Sequence, residues 1–150
     1  MFQVTDILSW LFHKYGSNAV KNSRLCRIHF HSLTFHMIGT VPGTWSNSVV
    51  AVTMGTQIAG LQACDRETFH LNDVDLRFPE TYSRFTGGLP VKFNSKKPVV
   101  SFSHRDLDFS LSPVLVCREP LKTVGLGDAI SATGLIHSKF TRWRSWISEV

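Results

Sequence analysis

Residues 123–135, TVGLGDAISATGL, set two glycines and a carboxylate directly before an apolar run with helical spacing. In that order the backbone N–H groups of Gly125, Leu126, Gly127 and Asp128 stand at the mouth of a helix. Glycines let the chain turn sharply and let an anion approach the backbone with no side chain in the way. Unpaired N–H groups and the helix dipole favour a phosphate or a developing negative charge there. A carboxylate at the same point would repel an anion that is merely bound. It makes chemical sense as a base that takes a proton from a hydroxyl attacking phosphorus, while the amides neutralise the transferring group. The plainer alternative is that Asp128 caps the helix and the glycines form its entry turn.

The elements that must hold this segment are legible on both sides of it. A helix from 129 to about 140 is expected to follow, with Ile130, Leu135, Ile136 and Phe140 as core contacts. Upstream, PVLVC reads as an apolar strand, and PVVSFSH and LDFSLS flank a short turn at Arg105 and Asp106 to make a β-hairpin. RLCRIHFHSLTFHMIGTV reads as a strand with Ile28, Phe30 and Ser32 facing one way and Arg27, His29 and His31 the other. PGTWSN is a turn, after which Ser46 or Asn47 caps a helix through about Ala59. That helix is apolar almost all round (Val49, Val50, Val52, Thr53, Met54), as in a helix packed between layers. Gly60 is expected to stop it and LQAC to form a short strand, and residues 65–97, with FPETYSRFTGGLP, read mostly as loop. At the start, Val4, Ile7, Leu8, Leu11, Phe12 and Tyr15 have the spacing of a helix with one buried face, capped by Thr5 or Asp6 and ended by Gly16. A body helix beginning at residue 5 implies a start inside a larger fold. Interleaved helices and strands predict an α/β fold in three layers.

Composition bounds the partners. A chain of 150 residues, 43% hydrophobic and 18% charged, is an ordinary globular domain and not a disordered one. The net charge of +5 suits an anionic ligand, but without a block of basic residues nucleic acid is not an expected partner. No apolar run reaches the roughly 18 residues of a membrane span, so no membrane insertion is expected. MFQVTDILSWLFHKYG lacks the basic first segment and small-residue cleavage site of a signal peptide. The three cysteines show no CxxC spacing, which argues against a structural zinc site. Cys64 and Cys117 each end an apolar run, GLQAC and PVLVC; neighbouring strands would bring them within bonding range, two reduced thiols being the alternative. Cys26 is expected to stay free.

Together RIHFHSLTFH, PVVSFSH and SPVLVCREPLKTVGLGDAISATGL resemble the C-terminal part of the eukaryotic ADP-dependent glucokinases, members of the ribokinase-like superfamily. The resemblance runs from about Leu25 to Phe140 and is most specific over residues 112–135. It implies a three-layer ribokinase-like α/β fold, with residues 1–140 a C-terminal portion of the large domain and 141–150 a divergent tail. It also implies transfer of the β-phosphoryl of ADP to the 6-hydroxyl of glucose, giving glucose 6-phosphate and AMP. Gly125, Leu126 and Gly127 would then form the anion hole, and Asp128 would be the catalytic base and lie at the magnesium site. His36 matches a family histidine that looks like a phosphate contact, and His31 is a second candidate on the same segment. For both, a hydrogen-bonded structural imidazole is the alternative.

The sequence also departs from the family pattern. The sugar-binding lid and the acidic residues that organise magnesium precede the matched part, so a fragment without them is expected to be inactive. Thr133 stands where the family has an acidic residue. Family members are associated with the endoplasmic reticulum through an N-terminal signal; this sequence shows none, which leaves the cytoplasm open. The competing readings are a non-catalytic remnant that binds an adenine nucleotide, a related ATP-dependent sugar kinase, and a structural module without a ligand. Arg142, Trp143, Arg144 and Trp146 of the tail would suit base stacking, with an unpacked tail as the alternative.

Overall fold

Alternation along two central strands decides the layering. The computed structural model describes residues 4–65, 67, 74–76 and 97–141; FPETYSRFTGGLP and residues 142–150 lie outside the described residues. In chain order the elements are α1 (Val4–Tyr15), β1 (Arg27–His31), β2 (Phe35–Thr40), β3 (Trp45–Ser46), α2 (Ser48–Ala63), β4 (Val74–Leu76), β5 (Val100–His104), β6 (Leu107–Pro113), β7 (Leu115–Cys117), α3 (Leu126–Ile136) and β8 (Lys139–Phe140). The main sheet is antiparallel with strand order β1-β2-β6-β5.

Successive side chains on a strand point to opposite faces. Phe35 and Met37 of β2 and Leu107, Phe109 and Leu111 of β6 share one face and form a buried cluster with Leu8 and Phe12 of α1. Fully buried side chains of this size contribute about 1.5–3 kcal/mol each, which makes this cluster the main apolar anchor. The opposite face turns Ile38 toward Ala51 and Val52 of α2, while Ala59, Val114 and Ile130 join α2 to α3. Helix α1 therefore covers one face and α2 with α3 the other, which is the expected three-layer α/β arrangement. The hairpin at Arg105 and Asp106 is present, with both residues in the left-handed conformation (φ 48° and 59°) that two-residue hairpin turns favour.

Several boundaries differ from the sequence expectation. The histidine-rich stretch is a hairpin rather than one strand: the N–H and hydroxyl of Ser32 both donate to the Phe35 carbonyl, at 2.8 and 2.9 Å, and close a turn between β1 and β2. Helix α2 runs through Gly60 to Ala63, so LQAC is its last turn and cap instead of a strand; the Cys64 N–H bonds the Gly60 carbonyl at 3.0 Å. Asn47 occupies the α2 N-cap without a side-chain capping bond. Within the stretch read as mostly loop, β4 pairs with β7. Helix α3 begins at Leu126 and stops at Ile136, because Lys139 and Phe140 leave it to pair with Ser46 and Trp45. Ile130 is buried, but Leu135, Ile136 and Phe140 are exposed. Ile7 and Tyr15 of α1 and Val49 and Val50 of α2 are likewise exposed, so the buried stripes are narrower than the apolar ones.

Cys64 and Cys117 are joined in a disulfide, and Cys26 is free and buried, accepting the Trp45 indole N–H at 3.1 Å. The pairing does not need two strands: Cys64 arrives at the C-terminal cap of α2 and Cys117 at the end of β7. Among the described residues no helix is long and apolar enough to cross a membrane.

Candidate active site

Gly125 enters α3 with φ +79°, the left-handed region that favours glycine, and serves as its N-cap. The first bond of the helical ladder runs from the Ala129 N–H to the Gly125 carbonyl at 2.9 Å. The N–H groups of Leu126, Gly127 and Asp128 precede that ladder and point out of the helix end. Asp128 is exposed in this first turn, and its carboxylate has no hydrogen-bond or ion-pair partner among the described residues. A capping role would tie the carboxylate back to the N-cap backbone; that bond is absent among the described residues.

The α2 C-terminus clamps the approach to this turn. The N–H groups of Leu121 and Lys122 both donate to the Ala63 carbonyl, at 2.8 and 3.3 Å, and the Gln62 side-chain amide donates to the Val124 carbonyl at 3.2 Å. Lys122 also forms an ion pair with Asp65. With the Cys64–Cys117 disulfide just upstream, these contacts tether residues 117–124 to one helix end, so Gly125 starts from a fixed point.

The β1–β2 hairpin supplies three imidazoles, each set against a glycine. The His31 ring lies over Gly127, where a Cβ would fall 2.5 Å from its Cε1. The His29 ring lies over the buried Gly134, with a Cβ there 2.7 Å from its Cε1. His36 packs on Gly55 of α2, where the same atom would be 3.0 Å away. His29 and His31 share the β1 face turned to α3, as the alternation predicted.

His36 is fully buried, and both of its ring nitrogens are engaged. The Thr56 hydroxyl donates to the Pro113 carbonyl at 2.9 Å and so accepts from His36 Nε2–H, also at 2.9 Å. His36 Nδ1 is then an acceptor, and His29 Nε2–H donates to it at 2.9 Å. Ser112 Oγ joins the same Thr56 hydroxyl at 2.7 Å. Every bond in this chain is made with both histidines neutral. Burial first, then the nearby His36, Arg27 and His31 charges, pushes His29 down to about 3. Burial also pushes His36 down to about 4, helped by His31 and opposed by the Val52 carbonyl.

The fold thus brings Gly125, Leu126, Gly127, Asp128 and His31 together at one point. It places His36 beneath them as a hydrogen-bonded core residue with neither nitrogen open to a ligand, the alternative role weighed for it from the sequence. Sequence reasoning did not single out His29, Thr56, Ser112, Gly55 or Gly134. The only signal for His29 was its place on the same strand face as His31. Among the described residues, no group of three or more His, Cys, Asp or Glu side chains is gathered so as to hold a metal ion.

Comparison with known proteins identifies the family this chain resembles. The family model described as the ADP-specific phosphofructokinase/glucokinase conserved region matches residues 1–137. An ADP-dependent glucokinase of Bos taurus is 44% identical over 138 residues, which cover 91% of this chain and 28% of the relative. A probable ADP-dependent glucokinase of Caenorhabditis elegans is 38% identical over 152 residues, covering 93% of this chain and 30% of the relative. The chain therefore spans less than a third of the length of these relatives. Among solved structures, a Pyrococcus horikoshii phosphofructokinase with AMP aligns at TM-score 0.52 and 20% identity, over 90% of this chain and 29% of that one. An ADP-dependent kinase in complex with fructose-6-phosphate and ADPβS aligns at TM-score 0.53 and 14% identity, over 91% and 32%.

Proposed function

Because this chain belongs to the ADP-specific phosphofructokinase/glucokinase family, we propose that it carries the phosphoryl-transfer end of an ADP-dependent glucokinase. The observation that carries the reading is the first turn of α3: amides at Leu126, Gly127 and Asp128 ahead of the helical ladder, entered by a left-handed glycine, with a carboxylate beside them that has no partner among the described residues. In this reading the amides of the 125–127 segment receive the β-phosphoryl of ADP. Asp128 accepts the proton of the glucose 6-hydroxyl as its oxygen forms a bond to that phosphorus. The bond from phosphorus to the α–β bridging oxygen breaks, and AMP leaves with that oxygen while glucose 6-phosphate forms. Such transfers pass through a loose transition state, so positioning and charge neutralisation do most of the work.

Magnesium fits this end of the helix through Asp128. Mg²⁺ takes one or two carboxylates plus phosphate oxygens and keeps several waters, a donor set that an exposed carboxylate beside a phosphate site can join. When bound it would offset the charge on the transferring group. The Cys64–Cys117 disulfide supports residence in an oxidising compartment, consistent with the endoplasmic reticulum.

The test replaces the aligned segment of the Bos taurus relative with residues 1–137 and assays product formation from glucose with ADP or ATP. Glucose 6-phosphate and AMP formed from ADP, with little turnover of ATP, is the expected result. A soluble, folded chimaera that binds ADP but transfers nothing supports the non-catalytic remnant instead.

A further inference from the structure

Helix α3 begins at the carboxylate proposed to react, so whatever fixes its placement on the sheet fixes Asp128. Its contact with β1 is made through two small windows, Gly127 and Gly134, seven residues apart on one face. His31 and His29, two apart on β1, fill them, His31 at the N-terminal window and His29 at the other. The two contacts differ in rigidity. The His31 ring is exposed at the sheet edge, whereas His29 is held on its far side by the donated bond to His36.

His36 is in turn fixed by Thr56 in the middle of α2, and Thr56 by Pro113 and Ser112 at the end of β6. A chain of four side chains thus ties the sheet and α2 to one imidazole face, and α3 rests on that face. Its other ring nitrogen, His29 Nδ1, is buried and without a hydrogen-bond partner among the described residues, and the Arg27 guanidinium lies beside it, its Nη2 3.6 Å from where a Gly134 Cβ would fall.

We propose that His29 is a positioning residue. Its hydrogen bond to His36 fixes the imidazole plane on which Gly134 of α3 rests, and through that helix it sets where Asp128 stands. Its importance for catalysis rests on the reading of the α3 N-terminus as the phosphoryl site, but the test needs no nucleotide, so the two can fail separately.

The experiment is residue-resolved amide hydrogen exchange on the 150-residue chain at pH 7, comparing His29→Phe, His29→Gln and His29→Ala with the parent. Phenylalanine keeps a flat ring on Gly134 but loses the donor; glutamine puts an amide N–H near the position of Nε2. In the Phe and Ala variants the hydrogen-bonded α3 amides from Ala129 onward should exchange about tenfold faster or more, while the β5–β6 hairpin keeps its protection. The Gln variant should return α3 to within about threefold of the parent. Parent-like α3 protection in His29→Phe would show that ring shape alone suffices and overturn the proposal. Equal acceleration of the hairpin amides, or a Gln variant as loose as the Phe variant, would overturn it as well. Should His29→Ala fail to fold, the Phe–Gln comparison decides alone.

Discussion

The imidazole of His31 lies against the backbone of Gly127, so close that a Cβ on that glycine would sit 2.5 Å from His31 Cε1. Gly127→Ala therefore cannot be accommodated while His31 keeps its place. The exposed ring must swing aside or the first turn of α3 must shift, which places the cost toward the lower end of the about 1–3 kcal/mol of core overpacking. Denaturant melts should show that loss in the single variant. In the double variant His31→Ala/Gly127→Ala the clash is gone, and its stability should fall within about 0.5 kcal/mol of His31→Ala alone. Strict additivity of the two substitutions would mean that the contact does not constrain the turn.

The neutral histidine pair makes stability depend on pH. His29 near 3 and His36 near 4 both lie below the ordinary histidine value of 6.5. The unfolded chain therefore takes up protons that the folded chain refuses. The pair's contribution is complete above about pH 6.5 and is lost progressively as pH falls toward 4 for His36 and 3 for His29, at up to about 1.4 kcal/mol per pH unit for each histidine. Urea melts at pH 7, 6 and 5 should show the midpoint dropping with each step, and dropping less in His29→Gln. A midpoint constant from pH 7 to 5 would contradict the neutral assignment.

Disulfide loss should act on both the fold and the site. The Cys64–Cys117 bond spans 53 residues of sequence, and closing a loop of that length contributes about 2–4 kcal/mol. Reduction, or Cys64→Ser, should lower stability by that order in chemical melts. It should also loosen residues 117–124, whose backbone bonds to Ala63 depend on the same helix end. Peptide mapping without reduction checks the pairing itself, and recovery of Cys26 in a crosslinked peptide would overturn it.

What was legible in the sequence was local. GLGD could be read as a helix mouth because glycine and carboxylate chemistry act within one turn, and the β1 alternation placed His29 and His31 together because strand geometry has a period of two. The His29–His36–Thr56–Ser112 chain was not legible. It joins residues up to 83 positions apart in number, from His29 to Ser112, and depends on how α2 crosses the sheet. Gly60 misled for a related reason: it is buried inside α2, where tertiary packing of the helix outweighs the cost of a glycine in its interior. The apolar character of Leu135, Ile136 and Phe140 promised core contacts, but Leu135 and Ile136 end α3 on its exposed side, and Phe140, in β8, has left the helix to pair with Trp45.

Asp128 separates the catalytic reading from a structural one most sharply. Asp128→Asn keeps the size of the side chain and an oxygen near the helix end, but it removes the proton acceptor and a charge that magnesium can use. In a chimaeric enzyme carrying residues 1–137, kcat should fall by about 10²–10⁴-fold while ADP affinity changes little, because the amides that hold the phosphate are untouched. A carboxylate that only favoured the helix dipole would give the opposite pattern. Stability would drop by about 0.3–1 kcal/mol and turnover would stay near the parent rate. The side chain is exposed and makes no hydrogen bond among the described residues, so the dipole loss of about 0.3–1 kcal/mol is the whole stability change expected on either reading, and turnover separates the two. Steady-state kinetics and thermal melts on the same preparation therefore give two independent numbers. An Asn variant that phosphorylates glucose at close to the parent rate would falsify the base assignment, whatever its stability.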